Sequence, residues 1–252
     1  KVIDYSSKSF FSIDNFEKDS GLITLNFSGD PAGYIECGEF SYNGFISNMT
    51  NVKNYSGTFQ EFAKKYDLKA VLVTYHSKRY LSEGEFNLGN MKKIFGFDHI
   101  IHSPSDEVLK KMHRIGLKKM GDNNMHNHMG ITTYPNKIAV KLKTPLILWG
   151  DQGFTEQGGM HSINDFVEYT AKYRYEHDQH GYDWPDFLNL KEDKLTKEDL
   201  ETYIYPEEKE LREVGVRGIY LSNYFFYDGN FNYKIAKENY GWKERSKPFD
   251  RT

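Results

Sequence analysis

The chain has one cysteine, Cys37. That excludes an internal disulfide and any cysteine-rich zinc site within it, and it suits a reducing compartment. Long apolar runs are also missing. Nothing approaches the roughly 20 residues that span a bilayer, and the opening "KVIDYSSKSFF" has neither the basic segment nor the apolar stretch of a secretory leader. The expected location is therefore cytoplasmic, with no membrane partner. Positive charge is not in excess either: 33 Lys and Arg stand against 36 Asp and Glu, for a net charge of -3 and a pI of about 6.3. Such a balance builds no field for polyanions, so nucleic acid is not an expected partner. There are no internal repeats and no low-complexity linkers.

Aromatic residues make up 16% of the chain, with 19 tyrosines among them. Such a composition favours sites that stack flat groups and hydrogen-bond at their edges, although most of these rings are packing residues. At 252 residues the default is one main domain, with room for a small appendage.

Two regions differ in rhythm. Residues 1–50 carry short Phe, Ile, Leu and Tyr runs punctuated by "DSG", "SGDPAG" and "CGE", which predicts a β-rich N-terminal segment. Residues 51–252 alternate strand and helix signals. "TFQEFAKKYDL" places Phe59, Phe62, Ala63 and Tyr66 at helical spacing, "KAVLVTYHS" follows as a strand, "GEFNLGNMKKIFGF" is helical and "DHIIHS" is a short strand. "SDEVLKKMHRIGLKKMG" predicts an amphipathic helix capped by Ser105. "GITTYPNKIAVKLK" predicts another helix before the strand "PLILWG". This order implies crossover connections and a parallel sheet. Beyond Met160 the pattern is mostly helical: a helix running to Gly181, two short helices within "TKEDLETYIYPEEKELREVG", a strand in "VRGIYLSNYFF" and a last helix stopped by Gly241.

In open parallel sheets ligands collect beyond the carboxyl ends of the strands, where loops are shaped freely and helix N-termini point amides inward. "LILWGDQGFTEQGGM" ends such a strand, so Gly150 can let a ligand approach the backbone and Asp151 can face it; the alternative is a glycine-rich turn with a solvated acid. Tyr75, His76 and Ser77 fall at another strand tip. "GDNNMHNHMGI" sets His126 and His128 two apart. Such a pair can bind metal if the segment is extended, but surface histidines with hydrogen-bonding roles are commoner, and no metal site is assigned.

Several segments together resemble the N-acetyl sugar amidotransferase family of bacterial surface-polysaccharide (O-antigen, lipopolysaccharide) biosynthesis. They are "LKAVLVTYHSKRYLSEGEFNLGNM", "FDHIIHSPSDEVLKKM", "KKMGDNNMHNHMGITTYPNKIAVKLKTPLILWGDQGFTEQGGMHSINDFVEYTAKYRYEH", "GYDWPDFL" and "VGVRGIYLSNYFFYD", in family order from about Leu68 to the end. The resemblance implies a Rossmann-like, HUP-type ATP-pyrophosphatase fold, a parallel sheet flanked by helices, over residues 51–252. It also implies ATP and Mg2+ as cofactors, a nucleotide-activated sugar as substrate, and ammonia from a partner glutaminase of the histidine-biosynthesis type. The acetamido oxygen would be adenylated and ammonia would then displace AMP, giving an acetamidino sugar; the adenylate is what makes a poor leaving group leave. A homo-oligomer is compatible with this picture.

Under that resemblance Asp151, His126 and His128 are the candidate catalytic residues. Lys53, Ser56, Gly57, Tyr75, Ser77 and Gly150 would contact ATP, and Glu156, Gly158, Gly159, Arg217 and Asn223 the sugar nucleotide; the structural alternatives are that Glu156 caps a helix and that Arg217 pairs with a nearby acid. The family's phosphate-gripping "SGGKDS" is represented here by "SNMTNVKNYSGTFQEF", with Lys53 near its lysine and Ser56 and Gly57 as its remnant. The family's N-terminal cysteine motif is missing, so zinc is not expected, and "KPFDRT" ends where family members continue. The altered loop keeps a second class open: a catalytically silent nucleotide- or sugar-binding subunit. A tRNA-thiolating enzyme on the same fold is disfavoured by the acidic charge and the lack of catalytic cysteines.

Overall fold

The computed structural model describes residues 23–26, 69–76, 80–149, 168–188, 190–191, 193–220 and 229–244, the first stretch as backbone. The described residues form a mixed α/β fold around parallel strands. Strand β2 (Ala70–Tyr75) pairs in parallel with β3 (Asp98–His102), and β4 (Leu146–Trp149) with β5 (Arg217–Tyr220). Strand β1 (Ile23–Asn26) joins the two pairs, parallel to β2 on one side and to β4 on the other, in the order β3-β2-β1-β4-β5. β1 is the one part of the expected β-rich segment among the described residues. It is the central strand of the sheet to which residues beyond 51 supply the other four.

The strand sequences explain their positions. β2 reads Ala-Val-Leu-Val-Thr-Tyr and β4 Leu-Ile-Leu-Trp, both buried along their whole length, as expected of parallel strands covered on both faces. Steps from β1 to β2 to β3 move one way across the sheet, and steps from β3 to β4 to β5 move the other. Right-handed connections then place their helices on opposite faces. Helix α1 (Ser82–Phe95) connects β2 to β3, and its Glu85 Oε1 lies 2.9 Å from His76 Nε2. Helix α3 (Met125–Leu142) returns the chain to β4 and packs Ile138 against Val71 and Val73 on the other face.

Helix α2 (Asp106–Ile115) begins where the sequence predicts, with Ser105 Oγ accepting a hydrogen bond from the Val108 amide at 3.2 Å. It buries Val108, Leu109, Met112 and Ile115, an i, i+3, i+4 stripe, each worth about 1.5–3 kcal/mol of removed apolar surface, and continues as a π-helical turn over Gly116–Met120. α3 starts five residues earlier than the sequence pattern suggests, so "MHNHM" is its first turn.

The predicted helix ending at Gly181 is shorter among the described residues. Tyr169 first makes an antiparallel bridge to Gly218 at β5. Thr170 then caps α4 (Ala171–Tyr173), which runs into a π-helical turn over Arg174–Asp178. The next predicted pair is a 3-10 turn (Glu201–Tyr203) and α5 (Glu208–Val214). α6 (Gly229–Tyr240) ends at Gly241, whose φ of 64° suits a residue without a Cβ.

The end of α6 docks on α1. The Asn87 side chain donates to the Lys243 carbonyl at 2.9 Å and accepts from the Lys243 amide at 2.8 Å, and one turn on Asn90 donates to the Tyr240 carbonyl at 2.7 Å. No helix among the described residues is long and apolar enough to cross a membrane.

Candidate functional site

All five strands are parallel, so their carboxyl ends form one edge. The register sets Trp149 opposite Asn26, and Asn26 opposite Val73, two residues before Tyr75. The strand order reverses direction between β1 and β4; open α/β sheets bind ligands in a crevice at such a point. Two buried polar clusters lie among the described residues, one around Tyr75 of β2 and one around Trp149 of β4.

The first is centred on Tyr75, the last residue of β2. Its hydroxyl is 2.7 Å from the Tyr203 hydroxyl and 3.0 Å from His126 Nδ1. The ring is 3% exposed and lies against α3 at Gly130, where only a glycine leaves it room: an added Cβ would stand under 3.0 Å from Cδ2, Cε2 and Cζ. Burial pushes both phenols well above their ordinary pKa, so each hydroxyl keeps its proton and the three groups share an ordered hydrogen-bond chain. His126 is fully buried, with the His113 ring edge-on at 4.4 Å. Beside this cluster His102, the last residue of β3, holds Thr202 Oγ1 at 2.9 Å through Nε2.

The second cluster surrounds Trp149, the last residue of β4. Tyr169 packs on Trp149 at 4.7 Å between ring centroids and donates from its hydroxyl to Asp178 Oδ2 at 2.9 Å. Arg174 is 3% exposed. It donates through Nη1 and Nη2 to Asp183 at 3.2 and 2.6 Å and through Nε to Thr133 Oγ1 at 3.2 Å, and it lies 4.5 Å over the Tyr205 ring. Burial raises the Tyr169 hydroxyl far above the ordinary phenol value. These acids are already engaged, Asp183 by Arg174 and Asp178 by Tyr169.

Four of the candidate catalytic and binding residues fall in the described part. Tyr75 is at the expected strand tip, but its ring faces the interior and its hydroxyl is committed to His126 and Tyr203, so no face is open to adenosine. His126 and His128 occupy one helical turn about 200° apart. His126 points inward, and His128 is an exposed side chain 3.6 Å from Asp122 Oδ2. The extended geometry that a His-x-His metal pair needs is absent because α3 begins at Met125. Arg217 opens β5 and so stands at the amino edge, opposite the crevice. Its Nε donates to Glu168 Oε2 at 3.0 Å and its Nη2 to the other carboxylate oxygen. It balances a buried acid there and does not face a sugar phosphate.

Lys53, Ser56, Gly57, Ser77, Gly150, Asp151, Glu156, Gly158, Gly159 and Asn223 lie outside the described residues. The structure adds Tyr203, Thr202, His102, Tyr169 and Arg174 to the walls of the edge. Tyr203 reaches Tyr75 across 128 positions of sequence, a pairing for which no local pattern in "TKEDLETYIYP" gives a signal. Among the described residues no group of three or more His, Cys, Asp or Glu side chains could hold a metal ion, so none is assigned to Mg2+. No protein-family model matches this chain, and no curated protein matches it.

Proposed function

We propose that this chain is the ATP-dependent synthetase subunit of an amidotransferase that converts the acetamido group of a nucleotide-activated sugar to an acetamidino group. One observation carries the reading: the strand order β3-β2-β1-β4-β5, all parallel, with its reversal between β1 and β4. That order supports a Rossmann-like nucleotide fold, in which the nucleotide would bind beyond Asn26 and Trp149. The chain leaves Asn26 as Phe27-Ser28-Gly29-Asp30 and leaves Trp149 as Gly150-Asp151. Both continuations carry a glycine, whose bare backbone can bring amide groups to a phosphate, beside an acid that could hold Mg2+.

In this reaction the acetamido oxygen attacks the α-phosphorus of ATP and pyrophosphate leaves. Ammonia then adds to the activated carbon, AMP leaves with the former amide oxygen, and a proton is released. Ammonia comes from a partner glutaminase, and Mg2+ neutralises the phosphate charge when bound.

A second reading is favoured by one specific observation. Lys53, Ser56 and Gly57 stand 27 to 31 residues beyond Asn26, too far along to form the turn that leaves β1, and the residues that do leave it, 27–33, contain no lysine. A silent nucleotide- or sugar-binding subunit fits that sequence. Calorimetry with Mg-ATP and ATP–pyrophosphate exchange in the presence of UDP-N-acetyl sugars separate the two. A synthetase binds Mg-ATP and exchanges pyrophosphate only with sugar present. Binding without exchange selects the silent subunit, and absence of any nucleotide or sugar binding removes both readings.

A further inference from the structure

Three consecutive residues of the 3-10 turn are hooked to three different elements. Glu201 Oε1 accepts from Lys137 Nζ of α3 at 2.7 Å, Thr202 Oγ1 meets His102 Nε2 of β3 at 2.9 Å, and the Tyr203 hydroxyl meets that of Tyr75 of β2 at 2.7 Å. Beneath the hooks, Leu195, Leu200 and Tyr203 are fully buried against Phe187, Met112 and Met129. Segment 195–205 therefore lies as a strap over the carboxyl ends of β2 and β3, joined there by side chains rather than by the sheet.

The His102 hook differs from the other two in having a ring that titrates near neutrality. Its surroundings disfavour a second positive charge. From α3 it faces Lys137 and the Tyr134 ring at 4.8 Å, from β2 the Tyr75 ring at 6.1 Å, and from the strap Thr202, with the carboxylate of Glu201 already engaged by Lys137. We propose that segment 195–205 is an acid-releasable strap at the ligand-binding edge of the sheet, with His102 as its catch.

Burial, and then the charge of Lys137, lower the His102 pKa from its ordinary 6.5. A lowered value in the closed state means that the opened state binds more protons. The closing contribution is thus complete above about pH 6.5 and lost as pH falls through the lowered value. Thr202 can still accept from a protonated ring; what drives opening is access of the imidazolium to water and its separation from Lys137. Opening would bare Tyr75 and His126 to solvent, so the strap links pH to the shape of the β2 side of the crevice.

Hydrogen exchange on the full chain tests this through the Leu200, Tyr203 and Ile204 amides, which donate to carbonyls within the strap. Corrected for the intrinsic rate, their opening should rise several-fold between about pH 7.5 and about pH 5, with a ceiling of about thirtyfold set by one imidazole of ordinary pKa. The β4 amides should not follow. In His102→Gln, whose amide keeps a partner for Thr202 but does not titrate, the rise should vanish. In the wild-type chain the His102 ring resonance should titrate at the pH where strap protection is lost. An unchanged strap at about pH 5, the same rise in His102→Gln, a rise shared equally by β4, or strap loss while the His102 ring stays neutral would each overturn the proposal.

Discussion

Two glycines in helix interiors should respond oppositely to alanine. Gly130 in α3 and Gly89 in α1 both forfeit about 1 kcal/mol of helix propensity relative to alanine. At Gly89 an added Cβ meets nothing within 4 Å, so Gly89→Ala should stabilise the fold by about 0.5–1 kcal/mol. At Gly130 the same Cβ would stand under 3.0 Å from three atoms of the Tyr75 ring. That ring cannot swing aside cheaply, because it is buried and its hydroxyl is held by both His126 and Tyr203. Forcing it over costs about 1–3 kcal/mol of overpacking, and each hydrogen bond lost adds about 0.5–1.5 kcal/mol. Set against the propensity gain, Gly130→Ala should be destabilised by about 1–3 kcal/mol. Urea unfolding at neutral pH reads this directly, and the corresponding fall in Tm is about 3–9 °C. If Gly130→Ala and Gly89→Ala shift the midpoint in the same stabilising direction, the close approach of α3 to Tyr75 is wrong.

Acid should weaken the fold through His99. Burial, and secondarily Lys92, hold its folded pKa at about 4 against an ordinary 6.5, so its contribution is complete above about pH 6.5 and drains away as pH falls towards 4. His99→Gln, still able to bond Thr74, should flatten the pH dependence of the urea midpoint across that window, and an unchanged slope would remove His99 as its source. Arg217→Ala strands the buried Glu168 carboxylate and should cost about 2–3 kcal/mol, below the full value for a buried pair because Arg217 is partly exposed. Arg217→Lys should recover only part of this, since the two-pronged contact is lost, and nucleotide affinity should not change in either variant. Asn87→Ala removes both hydrogen bonds to the Lys243 backbone and should raise exchange at the Lys243 amide at least about fivefold, leaving β4 amides as they were. Retained protection at Lys243 would mean that α6 is held to α1 by other contacts.

Much of the sheet was legible because its signals are local. "AVLVTY" and "LILW" are apolar runs of strand length, "DHIIH" carries a pair of β-branched isoleucines, and Ser105 announces α2 through its cap. The start of α3 was missed because His, Asn and His have weak helix preference; burial of Met125, His126 and Met129 outweighs it. Propensity also cannot foresee that a residue at a strand tip turns inward. Tyr75 sits where a nucleotide contact is expected, yet a phenol that finds two buried partners is more stable inside than stacked in an open crevice. Arg217 shows a different gap: the sequence shows that it adjoins a strand, but only the direction of that strand tells which edge it guards.

Placement of the first strand is where chain-local reasoning and topology part most clearly. Counting back from β2 by the length of one helix and one loop leads to residues 47–59, because parallel crossovers are usually that short. The central strand is instead at Ile23–Asn26, with 43 residues between Asn26 and Ala70. Nothing in "ITLN" distinguishes it from its neighbours. Its place follows from partners: a four-residue strand becomes central only because β2 and β4 both need a parallel neighbour, and the register pairs all four of its residues with each. Phosphate-binding turns in such sheets leave the central strand at its carboxyl end, which under the proposed synthetase reading makes Ser28, Gly29 and Asp30 candidates to test beside Lys53. If the synthetase reading holds, Gly29→Val should abolish Mg-ATP binding while Lys53→Ala leaves the dissociation constant within about twofold. The reverse result would mean that nucleotide enters somewhere other than the β1–β4 crevice.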